Sequence, residues 1–413
     1  MRRIRRLIRR FRKGIKSREA RVGIGLGLAF CIIVAGSFAL LCAIVIEIDN
    51  KVVIATPKER QQLEMPTVPI DSTAKPFGMA VGSTLDTLST GQLNSELSNM
   101  DVLGVRWVRI DVPWPEVQPN NSTQYDWSAL DRVVGAANAH HIKVLGTVAY
   151  TPAWAAIKGC DDSMQKCEPA SDSQFAAFAA NVARRYGSHG IDAWEIWNEP
   201  NDEGFWMPTP SPSAYTQLLM TSYTAIKKVD PSAFVISGGL GPLDSFPDSI
   251  EPTTFLSGMY AAGAKSYFDA VGYHPYSYPN LPTTIAAWSG WSMMSDLPVS
   301  IRSVMTANDD VNKQVWITEY GAPTGGPGET ETTANYGEVG GDSNVNDALQ
   351  AEMLTQSTQQ YEGYSWLGNY FWYSYKDLGT SQTDTENFFG LLDYNGNPKP
   401  AYTAYKQAIK TDK

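Results

Sequence analysis

The chain has 413 residues and a formal net charge of −10, but this charge is distributed unevenly along the sequence. Residues 1–21 contain nine Arg and two Lys against one acid, Glu19, so they carry +10 and residues 22–413 carry −20. The basic arm favours contact with anionic lipid headgroups, and nucleic-acid binding is the weaker interpretation because a long apolar run follows the arm at once.

Residues 22–46 contain no charged side chain. At about 1.5 Å per residue, a helix over this run exceeds the ~30 Å hydrocarbon core of a bilayer. The run is longer than the apolar part of a cleavable signal peptide, and residues 43–47 offer no small-residue cleavage site. The positive-inside rule therefore predicts a single-pass cell-membrane protein with a cytoplasmic arm. Residues 47–75 combine proline with mixed charges, which predicts an extracytoplasmic stalk.

Two cysteines lie beyond the predicted membrane span, in the polar segment KGCDDSMQKCEP. In an oxidising compartment, Cys160 and Cys167 are plausible partners in a disulfide. No His and Cys set with zinc spacing accompanies them, so a metal site is the minor interpretation. The sequence calls for neither a metal nor a cofactor.

From residue 76 onward, short β-rich runs alternate with amphipathic helical patterns. Eight alternations predict a (β/α)8 TIM barrel over residues 76–413. The rival doubly wound sheet needs a glycine-rich phosphate turn after its first strand, and FGMAVGSTLDTLS is not such a turn. The strand-like runs are FGMAVG, RWVRIDV, KVLGTVAY, AWEIWNE, FVISGG, FDAVGYHPY, QVWITEYG and GNYFWYSY.

Functional side chains of such barrels collect at the C-terminal ends of the strands. Glu199 after strand four and Glu319 after strand seven are expected to face one mouth from opposite sides of the ring. No Ser-His-Asp set, HExxH helix or phosphate-binding loop competes with them. The other side chains expected at strand ends are Arg109, Asp111, Tyr150, Trp154, Asn198, His274, Tyr276, Trp372 and Tyr373.

Two carboxyl groups facing a sugar-sized cleft are the apparatus of glycosidic bond cleavage. Apolar neighbours in sequence are expected to raise the pKa of Glu199, so that it can donate a proton. Glu319 is expected to stay ionised because Arg109 and the Tyr276 hydroxyl favour its charged form. A retaining reaction needs the two carboxyl groups ~5–5.5 Å apart, whereas ~6.5–9.5 Å indicates inversion.

Strand alternation assigns Glu195, Trp197 and Glu199 to the same face of strand four. Glu195 should then point into the barrel below the mouth. We favour the interpretation that Glu195 is a buried acid paired with a barrel arginine; the alternative is that it orients a residue of the site.

Two motifs carry a resemblance to a known group of enzymes. WNEP after strand four and WITEYG in strand seven resemble the retaining (β/α)8 glycoside hydrolases of clan A. WEIWNEPN, followed by Phe205 and Trp206, is most similar to family 39 and bacterial exopolysaccharide endoglycosidases, and family 5 cellulases are more distant. The resemblance covers residues 76 to about 406, and it implies that Glu199 is the acid/base and Glu319 the nucleophile.

The resemblance also implies roles for residues around this pair. Asn198 would hydrogen-bond the 2-hydroxyl of the sugar being cleaved. Arg109 and Tyr276 would hold the nucleophile, with His274 beside them. Trp372 would form the floor under the sugar.

Further positions admit two interpretations each. Trp154, Trp206 and Tyr150 either stack on sugars along the cleft or pack in the core. Residues 324–346 and 376–388 are rich in Gly, Thr and acids, and they form either solvated loops or cleft walls that select the polymer.

These observations predict a membrane-anchored retaining hydrolase, endo-acting, whose partners are an extracellular or cell-envelope polysaccharide and membrane lipid. Two alternatives stay open. One is a transglycosylase that uses the same glutamates, and the other is a catalytically silent barrel that binds glycans.

Overall fold

The computed structural model of the chain describes residues 53–54 and 75–411, apart from residues 161–164, 188–189, 243–246 and 333–342. The predicted basic arm and transmembrane span lie outside these residues, as does most of the predicted stalk, so all three remain predictions. Within the part of the chain that the structure describes, no helix is both long and apolar enough to cross a bilayer.

Eight parallel strands close into a barrel, and they follow one another around the ring in sequence order until β8 pairs with β1. This ring confirms the predicted (β/α)8 architecture. The strands are β1 (Phe77–Gly82), β2 (Trp107–Pro113), β3 (Lys143–Ala149), β4 (Ala193–Asn198), β5 (Phe234–Gly239), β6 (Ala270–Tyr273), β7 (Gln314–Tyr320) and β8 (Leu367–Tyr373).

Helices cover the outside of the ring and follow the predicted capping pattern. The side chains of Ser89, Ser211 and Asn346 each accept a hydrogen bond from the backbone N–H three residues later. Each bond satisfies an N–H group that the first helical turn leaves without a partner. The helices are α1 (Thr90–Leu103), α2 (Trp114–Val117), α3 (Ser128–Ala139), α4 (Asp172–Tyr186), α5 (Pro212–Val229), α6 (Pro252–Ala261), α7 (Gly290–Ser295), α8 (Ile301–Ala307), α9 (Asp347–Gly363) and α10 (Pro400–Thr411).

The inside of the barrel is filled by one apolar layer to which every strand contributes one residue. Because side chains alternate along a strand, the residue two positions further toward the C-terminal end faces inward again. On β2, β3 and β4 these next residues are Arg109, Thr147 and Glu195. The barrel therefore changes from apolar to polar just below its mouth. The apolar layer consists of Ala80, Trp107, Leu145, Ala193, Ile236, Ala270, Trp316 and Phe371.

The loop after β3 carries Cys160 and Cys167. Cys160 and Cys167 form a disulfide, with their Cα atoms 6.1 Å apart. Backbone hydrogen bonds join the end of this loop to its surroundings, from Thr151 N–H to the Gln165 carbonyl and from Met207 N–H to the Lys166 carbonyl. The loop is therefore held against the rim of the barrel.

Candidate active site

A cavity of about 520 Å³ opens at the C-terminal ends of the strands. Its volume falls in the range of ~300–1,000 Å³ that is usual for ligand sites. The sequence-predicted residues Arg109, Asn198, Glu199, Tyr276 and Glu319 all line it. The structure therefore brings the two glutamates together in one accessible space.

Arg109 connects three side chains beneath the cavity. Its guanidinium is 2% exposed. Nε donates to Glu195 at 2.5 Å, Nη1 to Glu319 at 2.5 Å and Nη2 to Asn198 Oδ1 at 2.7 Å. A guanidinium is always charged and holds its donors in a rigid fork, so Arg109 fixes the mutual positions of these three groups.

Glu195 lies wholly inside the barrel. Besides the bond from Arg109, its carboxylate accepts hydrogen bonds from Thr147 Oγ1 at 2.7 Å and from the Gly239 N–H at 3.0 Å. A buried charge is tolerated where it is paired and hydrogen-bonded in this way. Glu195 is thus the buried acid paired with a barrel arginine that the sequence interpretation favoured.

Glu319 is surrounded by groups that favour its ionised form. Tyr276 donates its hydroxyl to Oε2 at 2.9 Å, and Arg109 donates to Oε1. Burial acts to raise the pKa of Glu319, but His274, Arg109 and the Tyr276 hydroxyl outweigh it and lower that pKa below its ordinary value. The carboxylate that the sequence assigned as the ionised partner therefore carries its charge at neutral pH.

His274 lies between the two glutamates, fully buried beneath them. Its Nδ1 is 2.9 Å from Glu199 Oε1 and 3.6 Å from Glu319 Oε2. Burial acts to lower the pKa of His274, but the charges of Glu319 and Glu199 raise it overall. Because both oxygens contact one nitrogen, their separation cannot exceed the sum of 2.9 and 3.6 Å.

The end of β4 departs from the predicted alternation. Trp197 has a φ of 72° and Glu199 a φ of 45°, values that are uncommon for residues other than glycine. Trp197 does not share the face of Glu195; it is buried outside the ring with its ring centroid 5.0 Å from that of Trp206. The prediction for Trp197 is wrong, because the positive φ turns the chain so that Asn198 and Glu199 face the cavity.

Two glycines at the end of β5 leave the space that these side chains occupy. A Cβ atom on Gly241 would lie 2.8 Å from Cδ of Glu199. A Cβ atom on Gly239 would collide with the His274 imidazole and lie 2.6 Å from the Thr318 hydroxyl. The absence of side chains here is therefore a geometric requirement of the site.

The prediction that Trp372 forms the floor under a sugar is wrong. Trp372 is fully buried, and its ring packs edge-on against Tyr320 with centroids 5.9 Å apart. Phe371 belongs to the inner apolar layer, so the neighbouring Trp372 faces outward. Tyr373, one residue later, faces inward and lines the cavity.

Two other tryptophans also lie outside the cavity wall. Trp206 is buried between Trp197 and Tyr215, so it packs in the core and is not available for stacking. Trp154 is partly buried, donates its Nε1–H to the Gln118 carbonyl at 2.8 Å and packs edge-on against Trp114. For both residues the core interpretation is the one that the structure supports.

Tyr150 does line the cavity. Its ring meets Trp197 edge-on, and Lys166 Nζ lies 3.0 Å from its ring centroid. One face of the ring is therefore already occupied by an ammonium group. Burial lowers the pKa of Lys166 to about 8, although the nearby carboxylates act to raise it.

Most of the remaining wall was not selected from the sequence. Tyr373 donates its hydroxyl to Glu386 at 2.7 Å, so the loop 376–388 does form one wall. None of the described residues of the loop 324–346 lines the cavity. Asp111 and Tyr373 were expected at strand ends from the sequence, and both line the cavity. The further lining residues are Gly82, Asp111, Asp202, Phe205, Pro242, Tyr278, Trp288, Tyr373, Glu386 and Phe389.

Several solved structures share this fold. A family 39 glycoside hydrolase from Bacteroides cellulosilyticus WH2 aligns with a TM-score of 0.59 at 23% identity, over 81% of this chain and 64% of that one. A family 39 enzyme from Xanthomonas axonopodis pv. citri aligns with a TM-score of 0.59 at 19% identity, over 82% of this chain and 66% of that one. A GH5_18 structure from Streptomyces cattleya aligns with a TM-score of 0.59 at 17% identity, over 83% of this chain and 81% of that one. This chain thus spans just under two thirds of the two family 39 structures.

Sequence comparison assigns the family. Comparison with individual curated proteins gives no match. The model of the Cellulase family, glycosyl hydrolase family 5, matches residues 70–369, a range that contains β1 to β7 and the first three residues of β8. The motifs had placed family 5 further away than family 39, but both belong to the predicted clan. The resemblance to clan A is confirmed, and the chain belongs to the Cellulase family, glycosyl hydrolase family 5.

Proposed function

We propose that this chain is a glycoside hydrolase that retains anomeric configuration, with Glu319 as nucleophile and Glu199 as acid/base. The observation that carries the proposal is the contact of both carboxylates with one nitrogen of His274. The longest separation this contact allows for the two oxygens only reaches the lower edge of the ~6.5–9.5 Å that inversion needs for an intervening water. A direct attack by Glu319 on the sugar fits the shorter carboxyl separation of retaining enzymes, ~5–5.5 Å.

The reaction proceeds in two displacements. The ionised Glu319 attacks the anomeric carbon, the glycosidic C–O bond breaks, and the proton of Glu199 passes to the leaving oxygen. Glu199 then takes a proton from water, whose oxygen attacks the same carbon and releases Glu319. The lowered pKa of Glu319 supports its role, because attack requires the charged form.

Asn198 supports recognition of the sugar at the site of cleavage. Arg109 donates to its Oδ1, which identifies that atom as the oxygen and leaves the amide NH₂ on the other side. Since Asn198 lines the cavity beside Glu199, this NH₂ group can donate to the 2-hydroxyl. A hydrogen bond there strengthens as the transition state forms.

The proposal extends to substrate and location. The chain acts within an extracellular or cell-envelope polysaccharide, and its basic arm and apolar run anchor it in the cell membrane. The support for anchoring is the sequence alone: eleven basic residues followed by 25 uncharged ones. Protease treatment of intact cells should cleave the barrel domain and leave the arm protected; a barrel protected from protease would contradict this orientation.

Activity is tested with the purified full chain and a panel of polysaccharides. New reducing ends should appear, and Glu319→Gln and Glu199→Gln should abolish them. Glu352→Gln is the matched control, because this glutamate is exposed on α9 far along the sequence from the motifs. Products that form only when an acceptor sugar is added would indicate transglycosylation. Binding without any cleavage would indicate a silent barrel.

Stereochemistry is tested separately. Proton NMR of the first product should show the anomer of the substrate, and a 2-deoxy-2-fluoro glycoside should leave a covalent adduct on Glu319 that peptide mass spectrometry locates. A first product of the opposite anomer would refute retention while leaving glycoside hydrolysis intact.

A further inference from the structure

Trp288 differs from every other tryptophan of the chain. All twelve tryptophans of the sequence lie in the described residues, and Trp288 alone among them is exposed, at 57%. It forms no hydrogen bond and no ring contact with any residue that the structure describes. Tryptophan normally stabilises proteins through the large area it buries, so packing within the barrel does not explain this side chain.

The position of Trp288 connects it with the reaction. It lines the cavity that contains Glu199 and Glu319. An indole at the rim of a sugar-cleaving cavity offers a flat, apolar and electron-rich face. One face of a sugar ring presents C–H groups to such a surface, and stacking removes both apolar surfaces from water.

The backbone holds Trp288 in a defined position. A hydrogen bond closes the turn 286–289, in which Trp288 is the third residue. Gly290, which directly follows this turn, donates its N–H to the carbonyl of Tyr276 at 3.0 Å. Since Tyr276 donates its hydroxyl to Glu319, the turn that carries Trp288 is tied to a residue that contacts the proposed nucleophile.

We propose that Trp288 is a stacking platform for a sugar other than the one being cleaved. It follows that the substrate is an oligosaccharide or polysaccharide, bound across more than one sugar unit. The inference rests on the proposed glycosidase function and deepens it. Binding energy gained at a remote sugar can accelerate cleavage when it helps to position the reacting one, so the contribution of Trp288 increases with substrate length.

The kinetic test compares Trp288→Ala and Trp288→Phe with the unchanged full chain on β-1,4-linked gluco-, manno- and xylo-oligosaccharides, from disaccharide to hexasaccharide. For Trp288→Ala, the ratio of kcat/KM for hexasaccharide to that for disaccharide should fall about tenfold, which is ~1.4 kcal/mol. Trp288→Phe should restore part of the ratio. Tyr394→Ala is the control, because Tyr394 is 51% exposed and does not line the cavity.

A binding test keeps the inference independent of turnover. Glu319→Gln, with and without Trp288→Ala, is titrated with the same hexasaccharides while iodide quenches tryptophan fluorescence. The sugar should protect the fluorescence that Trp288 contributes, and affinity should fall when Trp288 is removed.

The outcomes separate the inference from the proposed function. An equal loss of kcat/KM at every chain length, or none at any, overturns the platform while hydrolysis stands. Full activity of Glu319→Gln overturns the proposed mechanism, even if the effect of Trp288→Ala on kcat/KM increases with substrate length. A panel that is neither bound nor cleaved overturns both for these sugars.

Discussion

Replacing Arg109 with methionine should destabilise the barrel strongly, because this change leaves buried acids without their cation. Methionine keeps an unbranched apolar stem but removes the guanidinium, with its charge and all its donors. Arg109 is 2% exposed and pairs at 2.5 Å with Glu195, which is fully buried. Breaking a buried pair by removing one partner costs ~3–5 kcal/mol, so we expect a loss of that size in the free energy of unfolding.

The assay is urea unfolding of the full chain at pH 7, followed by circular dichroism. Arg185→Met is the matched control, since Arg185 also pairs at 2.5 Å, with Asp131, but both side chains are more than 40% exposed. An exposed pair contributes ~0–1 kcal/mol. If Arg109→Met costs no more than Arg185→Met, the reasoning from burial is refuted.

A double-mutant cycle tests which acid is responsible. Glu195→Gln keeps the shape of the side chain and removes its charge, so the double variant with Arg109→Met no longer buries an uncompensated carboxylate at that position. The double variant should be more stable than the two single losses added together, with a coupling of ~0.5–3 kcal/mol. Additive losses would show that Glu195 does not depend on Arg109.

Two further predictions concern activity. Tyr276→Phe removes a donor that lowers the pKa of Glu319; that pKa should rise, and the acid limb of kcat/KM against pH should shift to higher pH. An acid limb at the same pH as in the unchanged chain would contradict the proposed effect of the Tyr276 hydroxyl on Glu319. Gly241→Ala places a Cβ atom 2.8 Å from Cδ of Glu199, and a displacement on the order of 1 Å lowers kcat roughly a hundredfold. Gly135→Ala, in open space on α3, should leave activity unchanged, and full activity of Gly241→Ala would show that Glu199 tolerates displacement.

The fold could be predicted because most strands carry their own signal. Each β-rich run is bounded by turn residues and followed by an amphipathic pattern. The acids could be predicted for the same reason. A carboxylate after an apolar strand has few positions in a barrel other than the mouth, which is where Glu199 and Glu319 lie.

The side-chain direction at β8 could not be read from the sequence. Alternation between apolar and polar residues normally identifies the two faces of a strand, but the run YFWY offers an aromatic ring at every position. Trp372 was assigned to the sugar on the basis of the family resemblance, and the sequence of β8 offered nothing to correct that assignment. The inner layer, to which Phe371 belongs, decides the register and places Tyr373 in the mouth.

The conformation of the turn at the end of β4 could not be predicted from the sequence for another reason. A bulky residue with positive φ is unfavourable in isolation, so local preference argues against it at Trp197. The surrounding structure stabilises it: the indole is buried against Trp206 and donates its Nε1–H to the Phe205 carbonyl at 2.9 Å. Such conformations persist only where tertiary contacts overdetermine them, and they cluster at functional sites.

The charged network links this local geometry to the closure of the barrel. Arg109 lies on β2, and its partners lie on β4 and β7, on other sides of the ring. Burial acts to raise the pKa of Glu319, whereas His274, Arg109 and the Tyr276 hydroxyl lower it, so part of the stabilisation of its charge depends on β2 and β7 keeping their relative positions. An opening of the barrel between β2 and β7 would therefore make Glu319 easier to protonate before the domain unfolds. Reactivity of the nucleophile and integrity of the ring depend on the same guanidinium.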